Sequence, residues 1–286
     1  MILGVVENPY ARNVPNRLMA EAGRLGIETR LIDLPTMAVV FQSVGAASVT
    51  DRHGEIRVDA VAPCLLFGFP AAIHAIKVLS WFAKMQNPIE GVLLSDDKAA
   101  TAERLAHGGI SQVATRVLAL DLDLALAAAE EIGYPLVLKR THGAQGRWVR
   151  RAADAAAAEK AFRELAAEGP GALVLQPEIV ECAGRSVRII VTGGGILVAT
   201  ERVASDGEFR SNVATGASQS PTELSPLERE LAEGSAAVLG LRHAGVDLLR
   251  TANGPQILEV NGCPDFTSME PYFDFSLAEA VLSASI

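Results

Sequence analysis

The chain has 286 residues, 49% hydrophobic and 21% charged, with a formal net charge of −9. That length and composition suit a folded protein with two or three subdomains and a cleft between them, and exclude a disordered chain. The acidic balance offers no surface built for a nucleic-acid backbone, and no apolar run reaches the ~18 residues that cross a bilayer, so no nucleic-acid or membrane partner is expected.

The start alternates strand and helix. Ile2–Val6 reads as a short apolar strand with no basic segment before it, unlike a signal peptide. Val14, Leu18, Ala22 and Leu25 recur at helical spacing up to Gly26, and Thr29–Leu34 is a second strand, so a βαβ unit and a parallel sheet are expected. Asp59–Phe67 reads as a buried strand. Ile73 to Met85 is apolar nearly all round, which predicts a helix buried in the core or at a contact between subunits of a homo-oligomer. The texture changes near Pro88. Ser95-Asp96-Asp97 is a cap for a helix carrying Lys98, Thr101 and Leu105. Asp121 caps an alanine-rich helix ending at Gly133, Pro135–Arg140 is a strand, Thr141–Gly146 a glycine-bearing loop, Asp154 a further cap, and Ala172–Gln176 a strand. Ser186–Thr192 and Ile196–Val203 form a hairpin around Gly193-Gly194-Gly195; Ser225-Pro226-Leu227-Glu228 is a capping box with proline at the first helical position. Val246–Arg250 and Gln256–Asn261 are strands around Asn253-Gly254. The expected organisation is α/β and α+β, with a parallel-sheet βαβ domain over 1–94, a small central domain over 95–175, and a C-terminal domain with a mixed or antiparallel sheet over 176–286.

Cys64, Cys182 and Cys263 are scattered and odd in number, which suits a reducing, cytoplasmic setting and gives neither a disulfide framework nor a zinc spacing. Each reads as a small core residue, with Cys263 set apart by lying inside the C-terminal motif.

That motif is the strongest chemical signal. Asp247 sits on one strand and Glu259 and Asn261 on the next, where a spacing of two puts them on one face. Leu258 and Val260 would face the core. Magnesium takes oxygen ligands, usually one or two carboxylates plus substrate phosphates. The alternative is three solvated polar residues on an exposed face. Lys139 closes an apolar strand ahead of Gly143-Ala144-Gln145-Gly146, a pattern that resembles a strand feeding a phosphate-covering loop; a solvated lysine beside a surface loop is the alternative, and Lys98 is equally open. Arg188, Arg202 and Arg210 have the rigid fork that clamps a phosphate or an acyl phosphate, against the alternative of surface salt bridges.

In order, Asp97-Lys98, Gly109-Ile110 with Thr115, Leu138-Lys139 with Gly143-Ala144-Gln145-Gly146, Gln176 to Ile179, Arg188, Glu201-Arg202, Phe209-Arg210-Ser211-Asn212, Gly245-Val246-Asp247 and Glu259-Val260-Asn261 with Pro264 resemble the RimK-like branch of the ATP-grasp ligases. The likeness runs from about Leu94 to Ala280, while the N-terminal third is only generically similar. It implies the ATP-grasp fold, ATP and Mg2+ or Mn2+ as nucleotide and metal, and two steps: a substrate carboxylate attacks the γ-phosphorus of ATP to give ADP and an acyl phosphate, then an amine displaces phosphate. It implies that Lys98 and Lys139 contact the phosphates. Gln176, Pro177, Glu178 and Ile179 line the adenine, Ser186 faces the nucleotide, Arg210, Ser211 and Asn212 meet phosphate or the reacting carboxylate, and Asp247, Glu259 and Asn261 hold the metal. In relatives the amine is often glutamate, and the acceptor is a ribosomal protein, a lysine-pathway carrier protein, or a pterin or deazaflavin coenzyme. An amino acid donor and a small coenzyme such as a pterin, or a peptide carboxylate, are therefore the expected partners, with an ATP-grasp phosphotransferase or a non-catalytic nucleotide-binding protein as alternatives. Ser186 stands where the family usually has aspartate, Trp148 and Asp265 where it usually has glycine, and Phe266-Thr267-Ser268 also depart from the pattern.

Asp247 and Glu259 share a metal only if they share a face. A two-residue turn at Asn253-Gly254 would pair Asp247 with Val260. A three-residue loop, Ala252-Asn253-Gly254, or another odd-length connection pairs it with Glu259, so the odd loop is expected.

Overall fold

The computed structural model describes residues 1–7, 12–42, 47–62, 69–143, 146–205, 210–211 and 216–285. β1 (Ile2–Glu7), α1 (Asn13–Arg24) and β2 (Glu28–Asp33) form the expected parallel βαβ unit. A three-stranded antiparallel sheet follows, β3 (Ala38–Phe41), β4 (Ala47–Asp51) and β5 (Gly54–Glu55), which the sequence reading missed. Its apolar residues do not alternate cleanly: Val40 and Phe41 are both exposed, while Val49 alone is buried. The first sheet resumes with β6 (Ala60–Val61) and, after α2 (Pro70–Leu79), β7 (Lys84–Met85), giving the all-parallel order β2-β1-β6-β7. Two expectations need correction. The strand expected over Asp59–Phe67 is confined to Ala60–Val61, with residues 63–68 outside the described set. The helix expected to reach Met85 stops at Leu79, because Lys84 and Met85 pair with Ala60 and Val61 as the edge of the sheet. Trp81 and Phe82, just past that helix, are exposed.

α3 (Ile89–Asp96), also unforeseen, runs into α4 (Lys98–His107), and the Asp97 carboxylate between them accepts from the Ala99 N–H at 2.8 Å. Ser95 and Asp96 thus belong to the preceding helix. β8 (Arg116–Ala119), α5 (Leu122–Ile132), β9 (Leu136–Arg140), β10 (Val149–Ala152), α6 (Ala155–Ala166) and β11 (Ala172–Pro177) build an antiparallel sheet of order β10-β9-β11-β8. Asp121 and Asp154 cap α5 and α6 as expected, and the two helices bury Ala129 and Leu165 against Leu136, Leu138 and Leu173.

β12 (Arg185–Thr192) and β13 (Gly195–Val203) turn through Gly193 and Gly194, whose φ of 65° and 87° only glycine adopts freely. β14 (Ser218–Pro221), α7 (Pro226–Val238), β15 (His243–Thr251) and β16 (Gly254–Asn261) complete an antiparallel sheet of order β14-β13-β12-β15-β16, and α8 (Leu277–Ser285) follows. Ser225 and Glu228 form the expected capping box on α7.

Alternation along β12 sends its residues to two cores. Val187, Ile189 and Val191 join Val246, Leu248 and Val260 beneath Leu105 of α4 and Ala232 and Ala236 of α7. Ile190 and Val198 instead join Leu3, Val5, Val14 and Leu18 from the first βαβ unit and Leu277, Val281 and Leu282 from α8. Each large side chain so buried contributes about 1.5–3 kcal/mol. Arg17 donates to Glu21 at 2.8 Å and to Glu270 at 2.6 Å, and Arg24 pairs with Glu279, fastening α1 to the C-terminal segment. Among the described residues no helix is long and apolar enough to cross a membrane.

Candidate active site

A cavity of about 580 Å3 opens between the central sheet and the five-stranded sheet. Lys98, Lys139, Gln176, Pro177, Glu178, Ile179, Ser186, Arg188, Arg202, Arg210, Ser211, Asp247, Glu259 and Asn261 all line it. Asn212 lies outside the described residues.

Asp247 pairs with Glu259, and Gly245 with Asn261, as a shared face requires. The connection differs from the odd-length loop expected. Thr251 pairs with Gly254 across a two-residue turn, Ala252-Asn253, and the register shifts by one between Asp247 and Leu248. Leu258 is the extra residue of that bulge. Bulging also turns Leu258 to line the cavity, where alternation had assigned it to the core beside Val260.

Lys139 is buried at the end of β9, and its Nζ donates to Gln176 Oε1 at 2.7 Å. Gln176 Nε2 donates in turn to Thr115 Oγ1 at 2.9 Å, which fixes the amide with its oxygen toward the lysine. Burial pushes Lys139 down to about 8, with Glu259 pulling it up and Lys98 adding to the fall. Lys98 Nζ lies 3.2 Å from Glu259 Oε1 and donates to the Gly143 carbonyl at 2.9 Å. Burial alone would raise the Glu259 carboxyl, but Lys98 and Lys139 hold it below the ordinary carboxylate range.

Arg188 grips Asp247 with both arms of its fork, Nε to Oδ1 at 2.7 Å and Nη2 to Oδ2 at 2.8 Å. Both residues are buried and stand opposite one another on β12 and β15. Arg202 Nη1 is 3.8 Å from Asp247 Oδ1, while its buried Nε makes no hydrogen bond. Burial pushes Arg202 down to about 10, and Arg188 adds to that fall. Neither arginine is a surface salt bridge. Arg210 Nη1 donates to the Gly146 carbonyl at 3.1 Å, and Ser211 Oγ meets Ser186 Oγ at 2.5 Å. The Glu178 N–H donates to the Pro135 carbonyl, and its carboxylate accepts from Arg151 Nε at 2.6 Å. A Cβ on Gly143 would come within 2.3 Å of the Trp148 ring, so the indole packs directly on the loop.

Val113, Cys182, Leu249 and Leu258 join the already named Ile179 in an apolar slot of the cavity wall, and sequence reasoning missed all of these but Ile179. Val113, Cys182, Leu249 and Leu258 come from separate stretches, and Leu258 arrives there only through the bulge, so no local pattern marks them.

Asp247, Glu259 and Asn261 offer two carboxylates and an amide oxygen on one wall, a donor set that fits a hard divalent cation. Among the described residues no three His, Cys, Asp or Glu side chains group to hold a metal.

A family model described as the RimK-like ATP-grasp domain matches residues 95–285. A protein of Cellvibrio japonicus (strain Ueda107) named "Probable alpha-L-glutamate ligase" is 34% identical over 261 residues, 89% of this chain and 85% of that protein. Among solved structures, D-cycloserine synthetase DcsG superposes with a TM-score of 0.74 at 22% identity, covering 99% of this chain and 98% of that one. The ATP-grasp ligase PsnB, solved with a minimal precursor, Mg and ADP, gives 0.67 at 18% identity, covering 99% and 98%.

Proposed function

The chain belongs to the RimK-like ATP-grasp family of ligases, and from that premise we propose that it joins a substrate carboxylate to the amine of an amino acid such as glutamate. The acceptor is a small coenzyme or metabolite, for example of the pterin type, or a peptide carboxylate. The observation that carries this reading is the single cavity into which separate segments deliver two lysines, three arginines and the Asp247–Glu259–Asn261 set.

ATP spans the cleft between the central segment and the C-terminal one. Its adenine enters the slot of Val113, Cys182 and Leu249, with the backbone of Pro177, Glu178 and Ile179 beside its edge. Lys98 and Lys139 meet the phosphates, and Gln176 holds Lys139 in place. Asp247, Glu259 and Asn261 hold magnesium, or manganese with the same taste for oxygen. The metal supplies charge neutralisation at the transferred phosphoryl group. Arg210 steers the substrate carboxylate to attack the γ-phosphorus, with Ser186 and Ser211 alongside, and Arg202 adds its charge to balance what builds up. Arg188 holds Asp247 in position and adds its own charge to that field. The loop braced by Trp148 on Gly143 shields the acyl phosphate from water until the amine displaces phosphate.

In the deciding experiment the protein is given Mg·ATP with pairs of carboxylates and amino acids. ADP release should need both partners and yield free phosphate plus an amide product with the combined mass less water. A phosphorylated hydroxyl product without amide would overturn the ligase reading, and a nucleotide bound without any turnover would do the same.

Two further outcomes concern Lys139. Lys139→Ala should weaken ADP and ATP binding by about tenfold to a hundredfold, the loss of one charge-assisted contact, without unfolding the protein. An unchanged dissociation constant by calorimetry would make it a bystander. The wild-type affinity should also fall as pH rises through about 8, because the phosphates bind the ammonium form. Stability should move the other way. The folded value of about 8 lies below the ordinary 10.5, so the buried charge opposes folding at low pH and the protein gains stability between those values. Lys139→Ala should flatten both profiles.

A further inference from the structure

Arg202 presents an unmet demand. Its side chain is 7% exposed, it lines the cavity, and its Nε–H makes no hydrogen bond. A buried guanidinium donor left without a partner is costly, and the group that meets it is expected to be an incoming anion. Arg202 lies opposite Gln219 across β13 and β14, and Gln219 Nε2 donates to the Ser268 carbonyl. That bond fastens the segment from Asp265 to Ser268 beside Arg202. Asp265, Thr267 and Ser268 line the same cavity. Asp265 Oδ1 is held by the Thr267 N–H at 2.9 Å and the Thr267 hydroxyl at 2.6 Å. No hydrogen bond to Oδ2 is made by any described residue.

The end of the cavity thus carries a buried cation with a spare donor and an exposed anion with a spare acceptor. A plain dianion such as phosphate would satisfy the first and be repelled by Asp265. A zwitterion satisfies both, and the mismatch with simple anions makes the pair selective. We infer that Arg202 and Asp265 form a two-point subsite for a zwitterionic α-amino acid, in which the Arg202 Nε–H binds the carboxylate and Asp265 Oδ2 the ammonium. The inference rests on the ligase reading for its biological meaning, since it assigns the amine-bearing substrate to this end of the cavity.

The test separates the two claims by measuring binding apart from turnover. Protein saturated with Mg·ADP is titrated calorimetrically with L-glutamate and with glutarate, which lacks only the ammonium, and the comparison is repeated for other amino acids and their deaminated counterparts. The wild type should bind one amino acid at least about tenfold more tightly than its deaminated partner, the worth of a charge-assisted hydrogen bond. Asp265→Asn should lose that preference while keeping its affinity for Mg·ADP. Arg202→Lys should weaken both members of the pair. The subsite is overturned if Asp265→Asn retains the preference, or if the wild type shows none for any pair. The ligase reading fails separately, when the preference is intact and no amide forms; the subsite fails separately, when amide forms and Asp265→Asn has an unchanged KM for the amino acid.

Discussion

Glu259→Gln should abolish magnesium-dependent turnover, lowering kcat at least about a hundredfold, with the unfolding midpoint moved by no more than about 3 °C. The substitution keeps the shape of the side chain and removes its charge. Glu259 is the carboxylate that Lys98 and Lys139 surround, and it stands opposite Asp247 on the neighbouring strand. Neutralising it leaves the two lysines facing each other and takes one oxygen anion from the metal set. ADP release measured across a magnesium titration checks the result. The outcome that would refute the metal role is a kcat within about threefold of wild type at saturating magnesium.

Arg188→Ala is expected to damage stability as well as activity. It strands the buried Asp247 carboxylate, and breaking a buried pair from one side costs about 3–5 kcal/mol. For a chain of this size that corresponds to a midpoint lowered by about 10 °C in scanning calorimetry. Arg188→Met combined with Asp247→Leu should recover most of the stability, because packed apolar side chains substitute well for a buried pair, and should remain inactive. A single Arg188→Ala variant with an unmoved midpoint would mean that Asp247 finds another partner, with Arg202 at 3.8 Å the nearest candidate.

The chemistry was more legible than the geometry that delivers it. Lys139, Asp247 and Glu259 stand out because acids and a lysine at the ends of apolar strands contradict their surroundings. The pairing of Asp247 with Glu259 followed from requiring one shared face, yet the means was wrong: a bulge at Leu258 supplies the extra residue that the turn does not. A bulge leaves no mark in a pattern of apolar residues, since Leu258 is as apolar as the core residue that strict alternation predicts at that position. The slot of Val113, Cys182 and Leu249 was hidden for a related reason, as its members meet only through tertiary packing. Arg188 was visible as a clamp for phosphate, but its grip on Asp247 depends on the alignment of β12 with β15, strands separated by more than forty residues of sequence. In the N-terminal third, short strands such as Ala38–Phe41 carried too little alternation to register.

The packing of Leu277, Val281 and Leu282 with Leu3, Val5, Val14 and Leu18 has a consequence for how the protein is made. The residues of β1 and α1 leave the ribosome well before their partners in α8, which follow only after all the strands and helices between them have been translated. At ordinary elongation rates the delay is on the order of tens of seconds, far longer than a small βαβ unit takes to collapse. The nascent βαβ unit must therefore wait with an apolar face uncovered until α8 arrives to close it.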